Sequence, residues 1–482
     1  MTQESEKRQA CCEKLDEKDY LTLTPQQRKR ELVRIQALID EGGQTPEQKA
    51  DLFFERGLLY WFAQEYAKAI ADYDKALEIK PNLHAAYYNR GIALDDLGRL
   101  EDARSSFDKA LEIKPDLHAA WNNRGSVLYN LGLFEEAIAS FDKTLEIKPD
   151  YYEAWFNRGY ALGNLGRLEE EIASYNKALE IKPDYYEAWK TRGMALGNLG
   201  LFEEALSSFE KVLEINPDDY IAWNYRGIAL GDLGRWEEAN ASYDKALEIQ
   251  HDLPDVWYSR GFALGNLGLF EAAIASYDKA LEFSPDDCQA WNNRGNALAD
   301  LGLFEEAIAS YDKALEFSPD DETWFNRGVA LGNLGFFEAA IASYNKTLEI
   351  NPDYRAAWYN RGLALHNLGR LEEAISSYDK ALELKPDYDA AWNNRGLALA
   401  NLGRLEEARS SYDKALEIKP DKDEAFYNKA CCYALQSQIG QAIQNLQQAI
   451  DLNPGEWREM AKTDSDFDSI RSHTRFQALI QE

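Results

Sequence analysis

Apolar residues along most of this chain recur at steps of three and four, the spacing of one helix face. In the segment HAAWNNRGSVLYNLG, residues 118–132, Trp121, Gly125, Leu128 and Leu131 share such a face. Gly132 supplies a left-handed stop. Leu133 to Ile147 then predicts a second amphipathic helix, with Ala137, Ile138, Phe141, Leu145 and Ile147 turned inward. Lys148–Pro149–Asp150 ends it, because Pro cannot follow in helical geometry without a penalty. Each helix is about 14 residues, roughly 21 Å at ~1.5 Å per residue. Gly125 and Ala137 are small where the two helices cross. The pattern predicts a helical hairpin.

The hairpin repeats. Pro81, Pro115, Pro149, Pro183 and Pro217 are spaced by 34 residues. His251 stands in the next Pro position, Pro285 and Pro319 resume the step, Pro352 comes one residue early, and Pro386, Pro420 and Pro454 return to it. Gly57, Gly91, Gly125, Gly159 and Gly193 keep the same period, and it continues to Gly396. Twelve units span 50–456. One hairpin cannot bury both its faces, so neighbours must stack. The expected fold is all-α, one continuous solenoid rather than the three domains that length alone suggests.

The recurring W-x3-G-x2-L…A-x3-Y/F-x2-A/T…P pattern resembles the tetratricopeptide repeat (TPR). In 152–185 it reads Trp155, Gly159, Leu162, Ile172, Tyr175, Ala178 and Pro183. Glu171 departs from it, where other units carry Ala137, Ala205, Ala239 and Ala307. The N-R-G-x-A-L form of the first helix and the tail DSDFDSIRSHTRFQALI are similar to bacterial multi-TPR proteins of photosynthetic species. The resemblance implies a right-handed superhelical solenoid of about twelve 34-residue helix-turn-helix repeats. It also implies that first helices line a concave groove and second helices form the outer surface.

The ends depart from the repeat. Residues 1–49 are expected to form an N-terminal helical cap or extension, with a helix near 25–40 starting at Thr24–Pro25. Leu32, Ile35, Leu38 and Ile39 fall on one side of it, and Arg28, Lys29, Arg30 and Arg34 read as a solvated basic face. The twelfth unit is degraded, with Phe426, Ala430 and Gln436 in place of Trp, Gly and Leu. Residues 457–482, with Trp457, Phe467, Ile470, Phe476 and Leu479, are expected to be C-terminal capping helices.

Within a unit the Trp is counted as position four. Trp121, Trp155, Trp189, Trp223, Trp257, Trp291, Trp324, Trp358 and Trp392 read as a buried structural row, together with Gly125 and Gly159. By resemblance the groove is lined chiefly by positions two, five, six, nine, twelve and thirteen. Position six is mostly Asn: Asn89, Asn123, Asn157, Asn293, Asn326, Asn360, Asn394 and Asn428. Asn carries a donor and an acceptor, so such a row can grip an extended peptide backbone or fix the stack itself. Similar Asn ladders line the TPR groove of sugar transferases that modify nuclear and cytoplasmic proteins. Position five varies, with Tyr88, Phe156, Lys190, Tyr258, Phe325 and Tyr359 as exposed candidates for partner contact. Position thirteen gives Asn164, Asn198, Asn266, Asn333 and Asn367, preceded in several units by Gly163, Gly197, Gly231, Gly265 and Gly332. Those glycines imply room for a ligand or, preferably, close helix approach. Position seven is Arg in units one to eleven, and position twenty-five is acidic in nine units. Matched rows of opposite sign favour inter-helix ion pairs over an anion ladder. The chaperone-tail clamp of some TPR proteins is not expected, since Met194 rather than Asn follows Lys190 by four.

Net charge is −31. Positions one to fourteen sum to +1 over the units and the remaining repeat positions to −30. The acidity therefore belongs to second helices and turns, and it argues against nucleic acid and against an anionic membrane as partners. No apolar run long enough to span a bilayer and no signal-peptide core are found, so the expected location is cytoplasmic. Five cysteines, including the vicinal pairs Cys11–Cys12 and Cys431–Cys432, make neither a disulfide framework nor a zinc pattern. No Walker loop, H-E-x-x-H or G-x-S-x-G is present, and no cofactor or metal is expected. The reading is a monomeric, non-catalytic scaffold that binds protein or peptide partners in the concave groove. The alternative is a targeting or regulatory subunit of a separately encoded glycosyltransferase or kinase.

Overall fold

A computed structural model describes residues 23–481. Cys11 and Cys12, and the first half of the 1–49 extension, lie outside the described residues. The described residues are helical with no strand. Helix pairs run from Pro46–Phe62 with Tyr66–Ile79 to Asp423–Leu435 with Ile439–Leu452. The chain is an all-α helical-repeat solenoid. Its helices fall into two compact units, one up to Ile249 and one from Gln250.

The unit 118–151 shows how each hairpin is built. Its helices are His118–Asn130 and Phe134–Ile147. Gly132 turns the chain at φ +76°, which a side chain would resist. The Leu133 N–H then closes on the Leu128 carbonyl at 2.9 Å and the Gly132 N–H on the Tyr129 carbonyl, satisfying carbonyls the helix end would leave open. In the first and last pairs Gln64 and Ser437 hold this conformation instead of Gly.

The core of the first eleven hairpins is a ring on a glycine; the last pair has Ala430 and Leu446 at those places. A Cβ added to Gly125 would lie 2.6 Å from Phe141 Cε1, and one added to Gly159 would lie 2.7 Å from Tyr175 Cε1. Phe107, Phe141, Tyr175, Tyr311, Tyr378 and Tyr412 are essentially fully buried, as are Ala103, Ala137, Ala205 and Ala239. Each buried ring contributes on the order of 2–3 kcal/mol.

Three expectations are corrected here. The Trp row is not in this core, since all nine indoles are only half-buried. Ile147 is exposed, as are Ile113, Ile181 and Ile215, because it lies two residues past Leu145, about 200° round the helix. Close helix approach does not explain the Gly163 row. A Cβ would meet nothing within 4 Å at Gly197 or Gly265, and would meet the Glu171 carboxyl at Gly163 (2.8 Å) and the Trp236 ring at Gly231 (3.2 Å). Gly163 thus makes room for the one buried Glu at the Ala position. Tyr175 Oη donates to Glu171 Oε1 at 3.1 Å, yet burial still pushes the carboxyl above its ordinary range.

Thr24 caps the helix Pro25–Glu41 through a reciprocal bond with Gln27. Ile35 is fully buried against this end. Arg28 is not part of a solvated face: it donates to the Phe62 carbonyl at 2.9 Å and stacks on the Phe62 ring. At the other end lie Pro454–Thr463, a short 3-10 turn at Ser465–Phe467, and Thr474–Gln481. Trp457, Phe467, Ile470, Phe476 and Leu479 pack with Tyr427 and Leu446 in one buried cluster.

Gly125→Val should destabilise the chain by ~1–3 kcal/mol in urea unfolding, and the loss should shrink in a Phe141→Ala background that removes the opposing ring. Any equal loss in both backgrounds would contradict the ring-on-glycine account. Glu171 holds its proton more tightly folded than unfolded, so its contribution favours folding at acid pH. That contribution is lost as pH rises past the unfolded value of about 4.3 and through the raised folded one. Glu171→Gln should therefore be more stable than the parent at neutral pH, with the difference closing toward acid, as urea midpoints across that range would record.

Candidate functional site

The Arg row lies inside the stack. Arg124 Nε donates to Asp108 on the preceding second helix at 2.6 Å, and Nη1 donates to Ser140 Oγ on its own second helix at 2.7 Å. Its guanidinium sits 5.7 Å from the Trp121 ring centre. Arg158, Arg294, Arg327 and Arg395 repeat the arrangement with Asp142, Asp278, Asp312 and Asp379. At Arg192 and Arg361 the acid is replaced by Asn176 and Asn345, and burial lowers both guanidinium pKa values. This geometry matches the inter-helix pairing that the two charged rows suggest and leaves no open anion ladder.

Eight residues of the Trp row tie their first helices to the turn before them. Trp121, Trp155, Trp189 and Trp223 donate Nε1–H to the carbonyls of Pro115, Pro149, Pro183 and Pro217 at 2.8–2.9 Å. Trp257 makes the same bond to His251, because a backbone carbonyl accepts whatever the side chain. Trp291, Trp358 and Trp392 follow with Pro285, Pro352 and Pro386.

Positions five and six, read from the sequence as two rows facing a partner, bond to each other across successive units. Asn123, Asn293 and Asn394 donate to the phenol oxygens of Tyr88, Tyr258 and Tyr359 at 3.2, 2.9 and 2.9 Å. Asn326 donates to Asn296 Oδ1 at 3.1 Å, and Asn157 and Asn428 reach Asn122 and Asn393 at 3.5 Å. Asn89 and Asn360 turn back to carbonyls of their own helices. One amide donor of each is thus committed within the stack. The position-five side chains are not exposed as expected. Tyr88 is buried, and Phe156, Tyr258, Phe325 and Tyr359 are half-buried. Their rings pack on those of Tyr175, Tyr277, Tyr344 and Tyr378, with centres 5.7–6.0 Å apart. Phe156, Phe325 and Tyr359 also meet Tyr185, Tyr354 and Tyr388 of the next turn at 4.9–5.0 Å. Lys190 fills that place differently, with Nζ 3.3 Å from Asp219 and over the Tyr186 ring.

The surface offered by the first helices is set elsewhere. Asn164, Asn198, Asn266, Asn333 and Asn367 are exposed at the last helical turn, and Asn266, Asn333 and Asn367 bond the carbonyl four residues back. The largest exposed apolar groups are at position nine, where Tyr160 and Phe262 are each 46% exposed and Ile228 is 38% exposed. For Tyr160 and Phe262 the signal in the sequence is a large apolar residue one turn before an exposed Asn, and Ile228 precedes Asp232 in the same way. In the second compact unit two hollows adjoin at Asn293. One of about 360 Å³ is lined by Tyr258, Cys288, Asn292, Asn293, Asp320 and Thr323, and one of about 180 Å³ by Phe262, Phe270, Tyr277 and Asn296 among others.

The fold also gathers groups that the chain separates. Cys431, Asp464 and Asp466 place potential ligand atoms within 4.8 Å of one another. Each has an internal partner. Tyr427 Oη donates to Asp464 at 2.7 Å, the Asp466 N–H reaches the other Asp464 oxygen at 3.0 Å, and the Cys431 thiol lies 3.8 Å from Asp464. Burial and the two carboxylates push the Cys431 thiol well up, and burial raises Cys432 to about 12, so both stay protonated. No helix among the described residues is long and apolar enough to cross a membrane.

A stack of helical hairpins whose charged, Trp and Asn rows bond within the stack defines a repeat scaffold of the interaction class. Tetratricopeptide repeat models match 54–118, 88–152, 122–186 and 325–389, and also 186–219, 288–321 and 390–422. A TPR repeat model matches 229–268 and 266–302, and another tetratricopeptide model 208–239 and 411–444. The chain belongs to the tetratricopeptide repeat family. It is 44% identical over 57 residues to an uncharacterised protein of Methanocaldococcus jannaschii, covering 12% of this chain and 66% of that protein, just under two thirds of its length. Among solved structures it is similar to YrrB, a TPR protein with an unusual peptide-binding site, at 28% identity, with 39% of this chain and 97% of that one covered and a TM-score of 0.36. It is also similar to MamA (28% identity, 35% and 93% covered, TM-score 0.34) and to the C-terminal part of a TPR protein from Cytophaga hutchinsonii (20% identity, 52% and 99% covered, TM-score 0.43).

A double-mutant cycle on Asn394→Ala and Tyr359→Phe should give a coupling of about 0.5–1.5 kcal/mol in urea unfolding, the worth of one bond between units. Zero coupling would show that the Asn row does not brace the stack.

Proposed function

We propose that the chain is a non-catalytic scaffold that binds extended protein or peptide partners along the face formed by its first helices, the concave side by resemblance to the family. The observation that carries this reading is the exposure of Tyr160 beside Asn164 in the first compact unit and of Phe262 beside Asn266 in the second. Aromatic anchors flanked by amide donors and acceptors suit a backbone with periodic apolar side chains. Residues 50–456 act as the binding array, and 1–49 and 457–482 act as caps that keep its terminal apolar faces from water. The buried Ile35 at one end and the Trp457–Phe467–Phe476 cluster at the other support that division. The acidic second helices keep a long, open surface dispersed.

Panning the full chain against random twelve-residue peptides tests the reading. Enriched peptides should bind at least about ten-fold more weakly to Tyr160→Ala or Phe262→Ala, whose stability should change by less than about 1 kcal/mol. Peptides that bind both variants as tightly as the parent would move the binding surface away from the first helices.

A further inference from the structure

We infer that the 360 Å³ hollow in the second compact unit is a receptor for one basic side chain, lysine or arginine, of a bound peptide. The inference rests on the proposed binding of extended peptides along the first helices. It begins with a space that three other units fill with paired rings. Between successive first helices, the position-five side chain of one unit faces the residue that caps the next first helix. Phe156 meets Tyr185, Phe325 meets Tyr354 and Tyr359 meets Tyr388, each ring plugging the space with its neighbour. In unit 288–321 both rings are missing. Asn292 stands at position five and Asp320 caps the helix Asp321–Asn333. Cys288, small and half-buried, opens the floor further, at a place where Tyr152, Tyr186 and Tyr220 stand in other units.

The chain itself contains an occupied version of this arrangement. In unit 186–219 the capping residue is also an aspartate, Asp219, and position five is Lys190. Asp219 takes the Ala222 N–H on one oxygen at 3.0 Å and Lys190 Nζ on the other at 3.3 Å. The Lys190 ammonium lies 4.8 Å from the Tyr186 ring centre, and Tyr186 Oη donates to Asp219. Asp320 makes the same cap, accepting the Thr323 N–H at 2.8 Å. Its second oxygen has no lysine or arginine, because position five is Asn292. Among the described residues no basic side chain is ion-paired with Asp320 or with Glu322 beside it. Three consecutive acids, Asp320, Asp321 and Glu322, add to burial in pushing the Tyr354 phenol up. The hollow is thus open, acidic and shaped by the absence of a lysine that a homologous position supplies. A partner's lysine or arginine would restore the charge pair, with Tyr258 and Asn293 alongside its stem. The adjoining hollow at Phe262 would take an apolar neighbour of that residue.

The test uses the full chain and two pools of twelve-residue peptides, one with lysine fixed at a central position and one with glutamine there, the rest randomised. The parent should retain the lysine pool at least ten-fold better than the glutamine pool. Asn292→Lys should abolish that preference while leaving the melting temperature unchanged or raised, since it rebuilds the Lys190–Asp219 pair. Asp320→Asn, which keeps a capping side chain, should reduce the preference several-fold, and Glu322→Gln should do so to a lesser degree. Equal retention of the two pools by the parent, or a preference that survives Asn292→Lys, overturns the assignment. If both pools bind equally and binding is lost in Phe262→Ala, the pocket assignment fails and the first-helix binding surface stands. If neither pool binds, both readings fall.

Discussion

A ring of the second helix resting on a glycine of the first is the contact on which every hairpin but the last depends. Phe141 over Gly125 and Tyr175 over Gly159 leave no space for a Cβ, so the two helices cross at the one distance the ring allows. Nothing larger than hydrogen fits at that glycine without displacing a fully buried ring. The cost of Gly inside a helix, ~1 kcal/mol relative to Ala, is offset by that ring's burial. The contact recurs in one hairpin after another within each compact unit.

The polar rows then join one hairpin to the next. Arg124, Arg158, Arg294, Arg327 and Arg395 each span two second helices, taking an acid from the unit before and a serine from their own, with the guanidinium on a Trp face. The Trp holds the preceding turn through a backbone carbonyl, which is why His251 can stand for Pro without loss of that bond. The Asn and Tyr rows make a second set of ties between first helices. These partly buried pairs contribute more to register than exposed ion pairs such as Lys143–Glu146, which are solvated on both sides. A scaffold held together this way can vary its remaining exposed positions without disturbing the frame.

Much of this was legible in the chain. The period of 34, the Gly stops, the hairpin boundaries and the pairing of the Arg and acidic rows all follow from residue type at fixed spacing. The Thr24–Pro25 start and the aromatic tail were equally plain. Less legible was the depth of each side chain. Trp looks like core by composition, yet Trp223 is half-buried, because its ring covers a turn and not the inter-helix seam. Tyr88 and Phe156 look like surface anchors by their variation, yet they fill the space between units. Gly163 looks like a sign of close helices, yet it accommodates the Glu171 carboxyl.

The sequence by itself determined the hairpin and its repetition, since local periodicity, helix stops and small residues at the crossing act over fewer than 34 residues. Only the tertiary structure decided which of the repeated side chains remain for a partner. That depends on atoms about 35 positions apart, such as Asn394 on Tyr359, and on whether two facing positions are both large or both small. Tyr359 and Tyr388 close their space, Lys190 and Asp219 fill theirs with an ion pair, and Asn292 and Asp320 leave theirs open. Exposure at a stacked interface is a property of the pair, so it is decided when the units meet.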